Sequence, residues 1–137
     1  MSLTTYDDIW KKLLDIIGTS RELLPSNEED IYSEIHNAVD DYNIDADGVE
    51  NNVSYDDSTE TLSKTLDINS IKLIALYIKK NILQSELEYF EQVYQYDLKE
   101  VKSKFFKDQV SSRTEAINKV ENEIDKIWCY GRDRDFN

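Results

Sequence analysis

The spacing Asn43-x-Asp45-x-Asp47-Gly48 sets three oxygen-bearing side chains on alternate residues ahead of a glycine. That is how a calcium loop begins, because such side chains can converge on a hard cation. The remaining positions do not continue it. The twelfth place falls on Ser54, where a bidentate glutamate is needed, and the eighth on Glu50, where an apolar residue is usual. The reading favoured is a polar turn with Gly48 at positive φ, and no metal is assigned. His36 is the single histidine, between Ile35 and Asn37. A catalytic role would need a nucleophile or carboxylate beside it, and none is identifiable from spacing, so a structural histidine is expected. Cys129, the single cysteine, lies between Trp128 and Tyr130 and reads as a small packing residue. It leaves no disulfide framework and no cluster to hold zinc. There is no glycine-rich phosphate loop. The expectation is a protein that is not an enzyme and carries no cofactor.

Charge is the strongest feature. The 137 residues hold 29 acids and 16 bases, a net charge of −13. Between Arg21 and Lys64 lie 42 residues with thirteen acids and no Lys or Arg. The rest of the chain has 16 acids and 16 bases, so the whole imbalance comes from that interval. A solvated loop with acidic helix flanks is one reading. A face that repels polyanions or attracts a basic partner is the other. On either reading, binding to a nucleic-acid backbone through this face is disfavoured, since phosphate contacts need Lys and Arg.

The elements that carry these residues are helical. Three glycines and one proline leave few sharp turns for a β-sandwich or barrel. Thr5 to Ile17 reads as a first helix, capped by Thr4 or Thr5 and stopped by Gly18. Ser26 and Glu29 have capping-box spacing, with Leu24 as a hydrophobic staple, and open a second helix that ends near Asn43. Residues 44–65 lack a helical period and read as a long acidic loop, with a short extended piece at Asn52–Tyr55. Asp67 or Asn69 opens a third helix whose first turns are apolar all round, running to about Tyr96. A fourth helix, about 35 Å long, spans Phe105 to Trp128. Its Phe106, Val110, Arg113, Ile117, Val120, Ile124 and Ile127 alternate spacings of four and three, a heptad seam interrupted at Arg113. The expected partner of that seam is the third helix.

The fold class expected is therefore all-α, a small bundle of about four helices with a long acidic loop between the second and third. One domain covers residues 1–128, and residues 129–137 form a polar tail. No stretch approaches the length of apolar residues needed to span a membrane. The N-terminus lacks the basic start and apolar run of a signal peptide.

Lys99, Lys102, Lys104 and Lys107 form a small basic cluster between the last two helices. If copies assemble, this cluster and the acidic interval of the next copy are candidates for opposite sides of a head-to-tail contact. Trp128, Arg132, Arg134 and Phe136, at the end of the last helix and in the tail, are further interface candidates. The nine tyrosines suit interfaces, or half-buried packing.

Several stretches look like small tailed-phage head–tail connector (neck or adaptor) proteins. They are Thr5-Tyr6-Asp7-Asp8-Ile9-Trp10, the helix start from Leu24-Pro25 to Glu28-Glu29-Asp30-Ile31-Tyr32, and His36-Asn37-Ala38-Val39 with Tyr42-Asn43. Ile71-Lys72-Leu73-Ile74-Ala75 with Ile78-Lys79, and Phe106-Lys107-Asp108-Gln109-Val110 with Arg113, are similar too. The resemblance implies a helical virion subunit, assembled in the host cytoplasm and placed at the head–tail junction. It implies a ring, a dodecamer in the usual case, beneath a portal protein and above the next neck or tail component. Double-stranded DNA would pass through without specific binding. Asp45, Asp47, Glu50, Asp56, Asp57 and Glu60 would then line the channel with a non-sticking wall. The runner-up is an acidic DNA mimic that blocks a nucleic-acid-binding protein.

Overall fold

The computed structural model describes residues 2–46, 52–94 and 100–135, with the side chains of all but 94, 100–103 and 130–135. Four α-helices dominate it: α1 (Tyr6–Ile16), α2 (Glu28–Asp45), α3 (Ile68–Tyr94) and α4 (Glu100–Asp135). A 3-10 helix, Gly18–Leu23, follows α1, and a two-stranded hairpin, β1 (Tyr55–Asp56) and β2 (Thr61–Leu62), precedes α3. The fold is all-α apart from that hairpin. The chain divides into two compact units, Met1–Lys79 and Lys80–Asn137.

The first unit is built around the apolar start of α3. Leu73 through Ile78 are all buried, as an all-round apolar helix requires. Tyr6, Ile9, Leu13 and Ile17 bury one stripe of the first helical segment, and Ile35, Ala38, Val39 and Tyr42 bury one stripe of α2. Thr5 caps α1 in a reciprocal box with Asp8: the Asp8 N–H donates to Thr5 Oγ1 at 3.1 Å, and the Thr5 N–H to Asp8 Oδ2 at 3.0 Å. Gly18 has φ +60°, the left-handed conformation that ends the α-helix. Lys79 Nζ donates to the Ile16 carbonyl at 2.9 Å, satisfying one of the acceptors that helix termini leave open.

The second helix starts one residue later than its capping signal suggested. Asn27, not Ser26, is the cap; its side chain accepts the Asp30 N–H at 2.8 Å. Asn caps as well as Ser does, so one step of register decides between them. The helix also runs on to Asp45.

Residues 52–65 are not a featureless loop. β1 and β2 pair antiparallel, Tyr55 opposite Leu62 and Asp56 opposite Thr61. Glu60 closes the turn at φ +54°. The N-terminal segment lies along β2 as a third edge. Leu62 N donates to Thr4 O at 2.8 Å, Tyr6 N to Glu60 O at 2.9 Å and Thr4 N to Lys64 O at 3.2 Å. Thr4 is buried, and its hydroxyl accepts the Leu66 N–H at 2.7 Å. Val53 and Leu62 supply the buried apolar contacts. The sequence shows Val53 only as an isolated apolar residue in a polar stretch and gives Leu62 no distinguishing signal.

The second unit is an antiparallel pair, the C-terminal half of α3 against α4. Its direction follows from three contacts. Phe90 stacks on Phe106 with centroids 5.6 Å apart, Arg113 reaches Glu86 at 2.9 Å, and Lys80 lies 3.9 Å from Glu121. Ile117, Val120 and Ile124 of the seam are buried, as is Phe90 of α3. The helix is longer than the periodicity indicated, beginning at Glu100 and continuing past Trp128 to Asp135.

Candidate functional site

The densest group of chemistry-bearing side chains lies where the β1–β2 turn meets α1 and α2. Asp57, the first turn residue, accepts two hydrogen bonds on one oxygen. The Tyr6 hydroxyl donates at 2.6 Å and His36 Nε2 lies at 2.7 Å. Tyr6 opens α1 and is 3% exposed, whereas His36 sits half-buried mid-way along α2. The imidazole lies flat against Tyr55, centroids 4.0 Å apart and 9° from parallel. On α2, one turn back, Tyr32 stacks at 6.5 Å and meets Tyr6 edge-on at 5.5 Å. The Tyr32 hydroxyl donates to Glu28.

The electrostatics follow from these bonds. Hydrogen bonds from Tyr6 and then His36 hold the Asp57 carboxyl below the usual carboxylate range. Burial, and next the bond to Asp57, raises the Tyr6 phenol. The Ser58 hydroxyl and N–H lower Asp56. Burial raises Glu34 on α2, and Asp30 one turn away adds to the shift.

A histidine with a carboxylate is two members of a hydrolytic triad. Here no serine, threonine or cysteine is hydrogen-bonded to His36 among the described residues. The carboxylate is shared with a buried tyrosine, and a ring covers one imidazole face. The arrangement is a latch that fastens the hairpin to two helices.

The calcium-like spacing is likewise put to structural use. Asn43 brackets Val53, donating from Nδ2 to its carbonyl and accepting its N–H on Oδ1, both at 2.8 Å. The Asp45 carboxylate accepts the Tyr77 hydroxyl. Asp47 and Glu50 lie outside the described residues. No group of three candidate ligands that could hold a metal occurs among the described residues.

The structure scatters the remaining sequence candidates. Asp56, Asp57 and Glu60 are exposed on the hairpin, and Asp45 is exposed at the end of α2, not in a loop. Lys104 and Lys107 are exposed on α4, and Trp128 is half-buried near its end. Lys99 and Phe136, with the side chains of Lys102, Arg132 and Arg134, lie outside the described residues. The sequence reading does not find Tyr32, Tyr55 and Asp57 as partners of His36, or Tyr6 as the second donor to Asp57. Tyr32 and His36 do have the i, i+4 spacing of neighbours on a helix, but Tyr55 and Asp57 reach them through a hairpin the polar composition concealed.

The charge is divided between the two units. Residues 1–79 contain 17 acids and 6 bases, whereas residues 80–137 contain 12 acids and 10 bases. Glu28, Glu29, Asp30, Asp40 and Asp45 on α2 are all exposed, as are the hairpin acids.

Fold and site together define a small acidic helical protein whose one histidine–carboxylate pair is fastened into its architecture. Residues 1–131 match the family model described as YomZ prophage protein. The SPbeta prophage-derived uncharacterized protein YomZ of Bacillus subtilis (strain 168) is 30% identical over 125 residues, covering 91% of this chain and 93% of the relative. This chain therefore belongs to the YomZ prophage protein family. No solved structure matches it.

The family match corrects the resemblance to head–tail connector proteins, because neither comparison indicates a connector family. The stretches that suggested it are helix starts and amphipathic patterns. Thr5 with Asp8 and the acidic first turn after Asn27 are local devices that begin helices in unrelated proteins.

Proposed function

We propose that this prophage protein acts by binding and not by catalysis, as a structural subunit of the phage particle. Its acidic unit presents an acid-rich surface that attracts a cationic partner and repels DNA. The partition of charge carries the reading: residues 1–79 hold 17 acids against 6 bases, and Glu28, Glu29, Asp30, Asp40 and Asp45 of α2 and the hairpin acids are exposed. A surface of one sign steers a complementary partner and repels its like. In its specific form, copies assemble as a ring at the head–tail junction of the virion. A portal protein lies on one side, the next neck or tail component on the other, and DNA slides along the acids. What supports this form is the exposed acids alone, which DNA phosphates would not stick to.

The decisive experiment follows the chain into particles. Antibody detection and mass spectrometry of purified virions should find it at fixed stoichiometry, and electron microscopy should locate it. The exposed residues Glu22, Glu29, Asp40 and Glu60, replaced together by Lys, should leave helicity intact and abolish incorporation. Absence from purified particles, or normal incorporation of that variant, defeats the reading.

The second reading, an acidic DNA mimic, draws on the same exposed carboxylates. It requires a one-to-one complex with a host or phage DNA-binding protein that DNA competes away. Such a complex, with no protein in virions, decides for it.

A further inference from the structure

The α3–α4 pair exposes a face that a folded monomer would be expected to cover. Tyr89 is 68% exposed, Val93 47% and Phe105 56%. Helix geometry puts them together. Phe90 and Phe106 meet ring to ring, and the helices run in opposite directions. At 100° per residue, the position before each of these rings turns to the same side of the pair, so Tyr89 and Phe105 are neighbours on one face. Val93 lies one turn beyond Tyr89 on that side. Along α4 the same face continues through Gln109, Ser112 and Ala116, at spacings of four, three and four. This second stripe runs beside the buried seam and is uncharged for about 17 Å, although a third of the chain is charged.

The charge partition names the occupant. Two copies of a protein with net charge −13 repel each other over most of their surface. The unit formed by residues 80–137, with 12 acids against 10 bases, is where two copies can approach at least cost. An uncharged strip flanked by exposed aromatic residues suits helix-on-helix packing, with small residues admitting the facing helix and aromatic ones filling the grooves. We propose that two copies associate through this face, helical pair against helical pair, with Tyr89 and Phe105 as anchors. The proposal goes beyond the reading of the acidic face, and neither requires the other.

Sedimentation velocity and light scattering on the full chain test it. The mass should rise with concentration from 16.1 kDa toward twice that value. Added salt should strengthen the association by screening the acidic units, whereas a contact between the acidic face and the lysines would weaken. Phe105→Glu with Tyr89→Glu should weaken dimerisation by about tenfold or more, since anchor residues dominate such contacts. Ser112→Arg, which adds bulk to the strip without touching the core, should do the same. Both variants should keep the wild-type circular dichroism and melting temperature. A chain that stays at monomer mass at its highest soluble concentration overturns the proposal. So does a dimer indifferent to all three substitutions, or one that dissociates as salt rises.

Discussion

The imidazole of His36 and the ring of Tyr55 lie face to face at 4.0 Å, although 18 residues of sequence separate them and one is on a helix, the other on a strand. This contact, with the hydrogen bonds of Tyr6 and His36 to Asp57, fixes the hairpin to α1 and α2. Replacing Tyr55 with Ala should cost about 1 kcal/mol, the usual worth of an aromatic pair. Tyr6→Phe removes one hydroxyl donor from Asp57 and should cost about 1 kcal/mol as well. Urea unfolding of each variant measures both, and values within error of wild type would show that the latch does not hold the hairpin.

The acid limb of stability should depend on Asp57. Its carboxyl is held below the usual range in the folded protein, first by Tyr6 and then by His36. The unfolded chain therefore binds more protons at acid pH, and stability rises with pH there. The contribution is complete above the unfolded carboxylate value, about 3.9, and is lost as pH falls through the folded one. Melting temperatures across that window should fall less steeply for Asp57→Asn than for wild type.

Glu34 should behave in the opposite sense. Its Oε2 is buried with no hydrogen-bond partner among the described residues, and burial raises its carboxyl. The folded state then prefers the protonated form, so stability from this group is present at low pH and lost as pH rises. Glu34→Gln should raise the melting temperature at neutral pH, and the gain should vanish in acid.

Asn43→Ala should be costly for a change at a polar residue of the acidic interval. It strips both hydrogen bonds from the Val53 backbone beside a buried side chain, for about 2 kcal/mol. Calcium at millimolar concentration should move neither the melting temperature nor the helicity of the wild-type chain, because Asn43 is committed to Val53 and Asp45 to Tyr77.

Arg113 interrupts the apolar seam of α4 for a reason its neighbours supply. Nε lies 2.9 Å from both Glu86 oxygens, Nη1 lies 2.7 Å from Gln109 Oε1, and the guanidinium covers Phe90 at 4.1 Å. A lysine cannot reproduce that planar fork. Arg113→Lys should lower stability by about 1 kcal/mol, read from thermal melts, while Arg113→Leu with Glu86→Leu should restore it.

How much was legible depended on the range of the interaction. The spacing of Ile9, Leu13 and Ile17, the all-round apolar run from Leu73 to Ile78 and the α4 seam were readable because helices repeat locally. Local signals also misled by a step, as when Asn27 and not Ser26 capped α2. The hairpin was hidden because its stability comes from Thr4, Asn43 and His36, all distant in sequence, and not from the composition of residues 52–65. The candidate site shared that fate: His36 was visible, whereas its partners were assembled by the hairpin. The same locality explains why helix starts suggested the wrong kinship.

The third edge of the hairpin carries a consequence for biosynthesis. The main chain of Thr4 and Tyr6 is satisfied by residues 60–64, and the Thr65 hydroxyl reaches back to the Ser2 carbonyl at 2.6 Å. A nascent chain that stops short of Leu62 holds α1 and α2 with no β2 to receive the segment before them, and the apolar start of α3 follows later still. The ribosome must thus deliver nearly half of the polypeptide before its beginning can settle, and closing so long a loop adds entropy to that delay.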